Sequence, residues 1–239
     1  MTVLHRVRRA ARRVGLDVGR YPQETDDFRT ALLLREHGVG VVLDVGAHTG
    51  GYGAGLRSHG YRGRIVSFEP VAEHHRRLAA RAARDRAWTT RRLALGAAPG
   101  EAALHVAGNA GASSSLLPML ERHARAAPDS AYVRQERVEV GRLDAVWDEV
   151  VRPGERVFLK LDVQGFERQV LDGLGARVAD CAGLQLEMSL VPLYAGGVLY
   201  RELLDWAEER GFALMNLLPG FADAGSGRMY QCDAVLMRE

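Results

Sequence analysis

The apolar positions of the chain gather into short dense runs separated by segments of helical period. Val39–Val45, Arg64–Phe68, Val157–Leu161 and Leu184–Leu186 are almost wholly apolar, the pattern of strands covered on both faces. A further strand is expected at Arg91–Leu95. Between them, Val71–Arg84, Phe166–Leu174 and Tyr200–Arg210 read as helices, the last closed by Gly211. Such alternation predicts an α/β fold with a mostly parallel sheet and helices on both faces. Ahead of it, residues 1–38 read as a helical cap. Asp26–Glu36 forms one helix; in the other, Val3, Val7, Ala10 and Val14 recur among Arg6, Arg8, Arg9, Arg12 and Arg13. Its small apolar side chains, without Trp or Phe, favour a cap with a solvated basic face over a membrane-surface or acidic-partner helix.

Two segments interrupt the alternation. Leu104–Val106 and Glu136–Val140 look like extra strands, joined by the small-residue stretch Gly108–Ser115 and a polar helix reaching Pro128. Connections of this length inside a compact domain are usually functional, so 104–140 is expected to form a lid and acceptor pocket. At the end of the chain, Phe212–Leu217 and Asp233–Met237 are joined by a Gly-rich loop without a crossover helix, which makes them antiparallel. No repeat or linker divides residues 39–239, which read as one domain.

Composition narrows the function classes. The chain has 239 residues, 47% hydrophobic and 26% charged, with a formal net charge of +2. That balance gives no reason to expect nucleic acid as a partner. One of the 32 basic residues is lysine, Lys160; so strong an Arg bias fits GC-rich coding better than phosphate binding. Cys181 and Cys232 form no CxxC pair, in keeping with a reducing compartment and against a cysteine-built zinc site. No export signal or membrane span is evident, and a cytoplasmic location is expected.

The sharpest chemical feature is the strand ending Leu43-Asp44-Val45 followed by Gly46-Ala47-His48-Thr49-Gly50. Glycines there let backbone approach a ligand. The spacing is Asp-x-Gly-x-x-x-Gly rather than the G-x-G-x-x-G that suits a pyrophosphate. A carboxylate at the loop mouth favours a ligand bearing an ammonium and a sulfonium, S-adenosylmethionine, over NAD. About twenty residues on, the second strand ends in Glu69-Pro70, where a carboxylate can accept both hydroxyls of a ribose. A third strand end carries Asp162, Gln164, Gly165 and Glu167, and a fourth carries Glu187.

Asp162 and Glu187 are expected to face one another across the crevice mouth. Methyl transfer needs an oriented acceptor and a base for its proton. Asp162 is the first choice for that base, with Glu187 and Glu167 behind it. Two carboxylates could also hold Mg²⁺, which the sequence does not require. His48 lies in the loop, His105 on an extra strand, and His74, His75 and His123 on helices facing solvent. None has metal-ligand spacing, and none is assigned as base.

These stretches together resemble the FkbM family of S-adenosylmethionine-dependent methyltransferases: VLDVGAHTGGYG, GRIVSFEP, RRLALG, ASSSLLPMLERH, RVEVGRLD, VFLKLDVQGFE, LQLEMSLVPLY and QCDAVLMR, in family order. The resemblance implies a seven-stranded, Rossmann-like class I methyltransferase sheet with its last strand antiparallel. It places Gly46, Ala47, Thr49, Gly50, Glu69, Ala94, Leu95 and Gly96 around the cofactor. It also suggests an O-methyltransferase acting on sugars or polyketides, in specialised metabolism such as antibiotic biosynthesis or on surface glycans. The family more often carries Asn at His48 and Glu at Gln164, so a base or ligand role for Gln164 is weakened. Asn109, Ser113, Ser114 and Ser115, with Gln164, would then hydrogen-bond a polyhydroxylated acceptor. The readings weighed beside it are N-methylation of a small metabolite, an NAD-dependent oxidoreductase and a non-catalytic partner subunit that keeps the adenosyl pocket.

Overall fold

The computed structural model describes residues 3–16, 18 and 25–238. The first helix, α1 (Val3–Arg12), leaves Val7 exposed, as is Val14 just beyond its end; α2 (Asp26–Glu36) instead buries Ala31 and Leu34. A seven-stranded sheet follows, built from β1 (Val41–Val45), β2 (Arg64–Phe68), β3 (Trp88–Arg91), β7 (Val157–Leu161), β8 (Cys181–Ser189), β9 (Phe212–Pro219) and β10 (Gln231–Arg238). Their spatial order is β3-β2-β1-β7-β8-β10-β9. The first five pair parallel, and β10 runs antiparallel to both β8 and β9.

Every residue of β1 and β7 is buried, because helices cover both faces. Val42, Ile65 and Phe158 pack with residues of α2, α3 (Gly51–Ser58) and α4 (Ala72–Ala82). Leu43, Val66 and Leu159 pack with α6 (Leu143–Val150), α7 (Glu167–Leu174) and α8 (Tyr200–Glu208). The chain leaves β1 towards β2 on one side and has β7 on the other, so the sheet reverses its winding between them. The carboxyl ends of β1 and β7 therefore flank the crevice where open α/β sheets bind ligands.

A smaller sheet, ordered β4-β6-β5, is formed by β4 (Ala94–Leu95), β5 (Gly100–Ala107) and β6 (Tyr132–Gly141). It buries Val71, Leu104, Val106, Val138 and Val140. The loop 108–115 and α5 (Glu121–Ala126) connect β5 to β6.

Two expectations about elements need correction. Residues 91–95 are not one strand: Trp88–Arg91 joins the main sheet and Ala94–Leu95 the small one. The Trp88 indole donates to the Ser67 hydroxyl at 3.0 Å, which fixes β3 three residues earlier than the apolar pattern suggests. The extra strands are also longer than expected. Their outer halves are exposed and polar, including the Glu101–Arg137 pair, so no apolar run marks them.

Candidate active site

The sequence after β1 turns sharply through Gly46, whose φ is +78°. A Cβ there would lie 1.9 Å from the Asp162 carbonyl oxygen. Only glycine lets the loops after β1 and β7 approach so closely. His48, Ala110 and Gln164 are the non-glycine residues with positive φ among the described residues; His48 and Gln164 line one cavity, and Ala110 is bonded to His48. Conformations of this kind are uncommon outside glycine and concentrate at functional sites.

The cavity, about 220 Å³, is lined by Gly46, His48, Glu69, Pro70, Ala94, Leu95, Ser114, Ser115, Asp162 and Gln164. Val71, Leu93, Leu104, Leu116 and Phe166 supply apolar wall. Glu69 stands at the end of β2 with its two carboxylate oxygens accepting the His48 and Val71 backbone N–H groups, each at 2.8 Å. Burial pushes its carboxyl up to about 7 against those two bonds. His48 donates from Nε2 to the Ala110 carbonyl at 2.8 Å, pinning the lid loop to the loop after β1.

Asp162, at the end of β7, keeps 37% of its side chain exposed. One carboxylate oxygen accepts from the Gln164 amide at 3.1 Å and the other from Lys160 Nζ at 3.2 Å. The same Gln164 amide nitrogen lies 2.7 and 2.9 Å from the Glu187 oxygens. Asp162 and Glu187 thus do meet, bridged by a donor. Burial, then the charges of Asp162 and Glu167, push the Glu187 carboxyl well above the usual range. A divalent ion has no place between these carboxylates, because the Gln164 amide group occupies it. Among the described residues, no group of three or more His, Cys, Asp or Glu side chains is arranged to hold a metal.

Several expected site residues lie elsewhere. Asp44 is fully buried beneath the loop, not at its mouth: Ser67 donates to it at 3.1 Å and Lys160 Nζ is 3.4 Å away. Ala47 is buried outside the cavity lining, and Thr49 reaches only the His48 ring, at 3.5 Å. Gly50 starts α3 with φ +80°, and Gly96 packs against Phe166. Glu167 is 2% exposed and accepts the Val163 and Gly165 N–H groups, holding the turn before α7; burial raises it to about 7.

The polar lid residues mainly bond the lid itself. Asn109 binds Ser113 through both amide atoms, Ser114 donates to the Gly111 carbonyl, and Ser115 donates to the Gln164 carbonyl at 2.8 Å.

The sequence reading missed four residues. Lys160 and Tyr194 support the cluster directly; the Tyr194 hydroxyl donates to Gln164 Oε1 at 2.5 Å. His74 and His123 are buried rather than solvent-facing. His74 lines the cavity 4.3 Å from the His48 ring. His123 sits behind the lid, its Nε2 3.4 Å from the Ser113 hydroxyl, against Tyr194 and Phe221. Helical period alone could not place them, because distant segments cover them: the lid loop and His48 over His74, and Tyr194 and Phe221 over His123.

A sheet wound both ways from β1 and β7 and finished by an antiparallel hairpin, with acidic residues closing β1, β2 and β7, is the architecture of class I methyltransferases. The methyltransferase FkbM domain model matches residues 44–214, and the chain belongs to that family. A putative methyltransferase from Thermobifida fusca has the same fold at a TM-score of 0.53, with 10% identity over 89% of this chain and 79% of that one. Cofactor-bound Rv0187 from MTB follows at 0.50, with 13% identity over 100% and 91%. No curated protein matches the chain. No helix among the described residues is long and apolar enough to cross a membrane.

Proposed function

We propose that the protein transfers a methyl group from S-adenosylmethionine to a hydroxyl of a polyhydroxylated small molecule, a sugar or a glycosylated natural product. The observation that carries this reading is the placement of Asp162 and Glu69 in one cavity on either side of Gly46. Glu69 would bind the ribose diol, and the wall of Val71, Leu93, Leu95 and Phe166 suits a flat purine. The donor supplies an electrophilic methyl: the new O–CH₃ bond forms as the S–CH₃ bond breaks, and the bonding pair stays on sulfur. Asp162 accepts the hydroxyl proton, so charge balances as sulfonium and carboxylate become thioether and carboxylic acid.

Orientation contributes most to the rate, up to about 7–11 kcal/mol of barrier, and a general base about 10²–10⁴-fold. Glu187 is a weaker candidate for the base, since it lies outside the cavity lining and its oxygens are engaged by the Gln164 amide. Glu167 is committed to two backbone N–H groups. The test is calorimetric titration with S-adenosylhomocysteine and with NADH, followed by a methyl-transfer assay on a panel of methyl glycosides and amines. Binding of S-adenosylhomocysteine with turnover on a glycoside supports the reading. Binding of NADH alone overturns it, and turnover confined to amines moves the acceptor from oxygen to nitrogen.

A further inference from the structure

Of the 32 basic side chains in this protein one is lysine, and it is buried in the middle of the sheet. Arginine serves at every other cationic position, so position 160 has a requirement that arginine does not meet. The geometry shows what that is. Lys160 Nζ lies 3.4 Å from Asp44 Oδ1, 3.2 Å from Asp162 Oδ2 and 3.5 Å from the Gly46 carbonyl oxygen. The Tyr52 ring stands 5.4 Å away on another side. An ammonium has three donors on one compact atom and can address three convergent acceptors. A guanidinium spreads its donors over a rigid planar fork, which needs more room and a flatter set of partners.

We infer that Lys160 is a positioning residue: its ammonium ties the Asp162 carboxylate to the Gly46 carbonyl, locking the proton acceptor onto the loop that holds the methyl donor. The inference rests on the function proposed above. Asp44 is fully buried and its Oδ1 faces the ammonium at 3.4 Å, which anchors the lysine head beside β1. Four further carboxyls stand around Asp162, Asp44 on β1, Glu167 on α7, Glu187 on β8 and Asp233 on β10, each raised first by burial and further by the Asp162 charge. A clamp of this kind fixes where the Asp162 carboxylate points without touching the acceptor.

A single lysine makes the test direct. Protein grown with ¹³C,¹⁵N-lysine gives one side-chain ammonium signal, which can be followed at fixed pH without any ligand. The expected result is a slowly exchanging ammonium, held by the Asp44, Asp162 and Gly46 oxygens, whose ¹⁵Nζ and ¹³Cε signals move in Asp162→Asn. Lysine signals unchanged in Asp162→Asn, or exchange as fast as in free lysine, overturn the clamp.

The second arm is Lys160→Arg, which keeps the charge. Its affinity for S-adenosylhomocysteine should stay within about threefold of wild type while kcat on the active methyl glycoside falls at least tenfold, a drop within the range for a misplaced base. Wild-type kcat in Lys160→Arg also overturns the clamp. Failure of the wild type to bind S-adenosylhomocysteine refutes the donor reading instead, and the lysine spectrum still judges the clamp alone.

Discussion

At the residue scale, Asp162 differs from its acidic neighbours in what its oxygens face. Glu167 is closed off by backbone N–H groups and Glu69 is engaged with His48 and Val71. Asp162 alone combines cavity lining with a close cation. Asp162→Asn should leave the affinity for S-adenosylhomocysteine within about threefold of wild type and lower turnover at least about tenfold; unchanged turnover would remove the base assignment. Glu69→Ala should act the other way, weakening binding more than it slows the bound enzyme. Because Glu69 titrates at about 7, wild-type affinity should also fall as pH drops from 8 to 6, where the protonated carboxyl accepts the ribose hydroxyls less well. A flat affinity profile over that range would separate Glu69 from ligand binding. Asp44, Glu69 and Asp162 were all legible as strand-end acids, since an apolar run closed by a carboxylate is a local pattern. That Asp44 faces inward was not. Side-chain direction follows from pairing with Ser67 and Lys160 across neighbouring strands, and those lie 23 and 116 positions away.

At the element scale, the lid loop 108–115 is held from two directions. His48 bonds the Ala110 carbonyl, and Gly111 presses against the His74 ring so closely that a Cβ would fall 2.0 Å from it. Gly111 also has φ +86°, so the position excludes other residues by both sterics and backbone conformation. Gly111→Ala should lift the lid from the cavity, raise hydrogen exchange at residues 108–115 and weaken S-adenosylhomocysteine binding. Adding His74→Ala should restore part of the affinity, because it removes the clash and leaves only the backbone strain. No recovery in the double variant would show that the His74 contact is not what sets the lid. The sequence pointed to this loop through its length and small polar residues, but assigned its serines to the acceptor. Their hydroxyls are instead bonded within the lid and to the Gln164 carbonyl. Composition reports that a segment is rich in donors; it does not report which acceptors folding brings within reach.

At the scale of the whole molecule, the fold concentrates buried carboxyls around the switch between β1 and β7, and this leaves a signature in stability. Burial raises Glu69 and Glu167 from 4.5 to about 7. Below about pH 4.5 each is protonated in both the folded and unfolded chain and carries no difference. Above it the unfolded chain releases protons that the folded one retains, so stability from these groups declines as pH rises through about 7. His123 opposes this, since burial lowers it from 6.5 to about 4, and its contribution grows with pH mainly below 6.5. The carboxyls therefore dominate from about pH 6.5 to 8, where each should cost on the order of 1 kcal/mol, or roughly 2–4 °C in Tm for a domain of this size. Thermal unfolding of the ligand-free protein should show Tm falling across that interval, and the fall should shrink in Glu69→Gln. A Tm that rises from pH 6.5 to 8, or a slope unaltered by Glu69→Gln, would mean that the crevice carboxyls are ionised in the folded state at little cost. The same acids that suit this crevice for a cationic donor would then be free of the strain that burial imposes, and saturating S-adenosylhomocysteine should no longer raise Tm more at pH 8 than at pH 6.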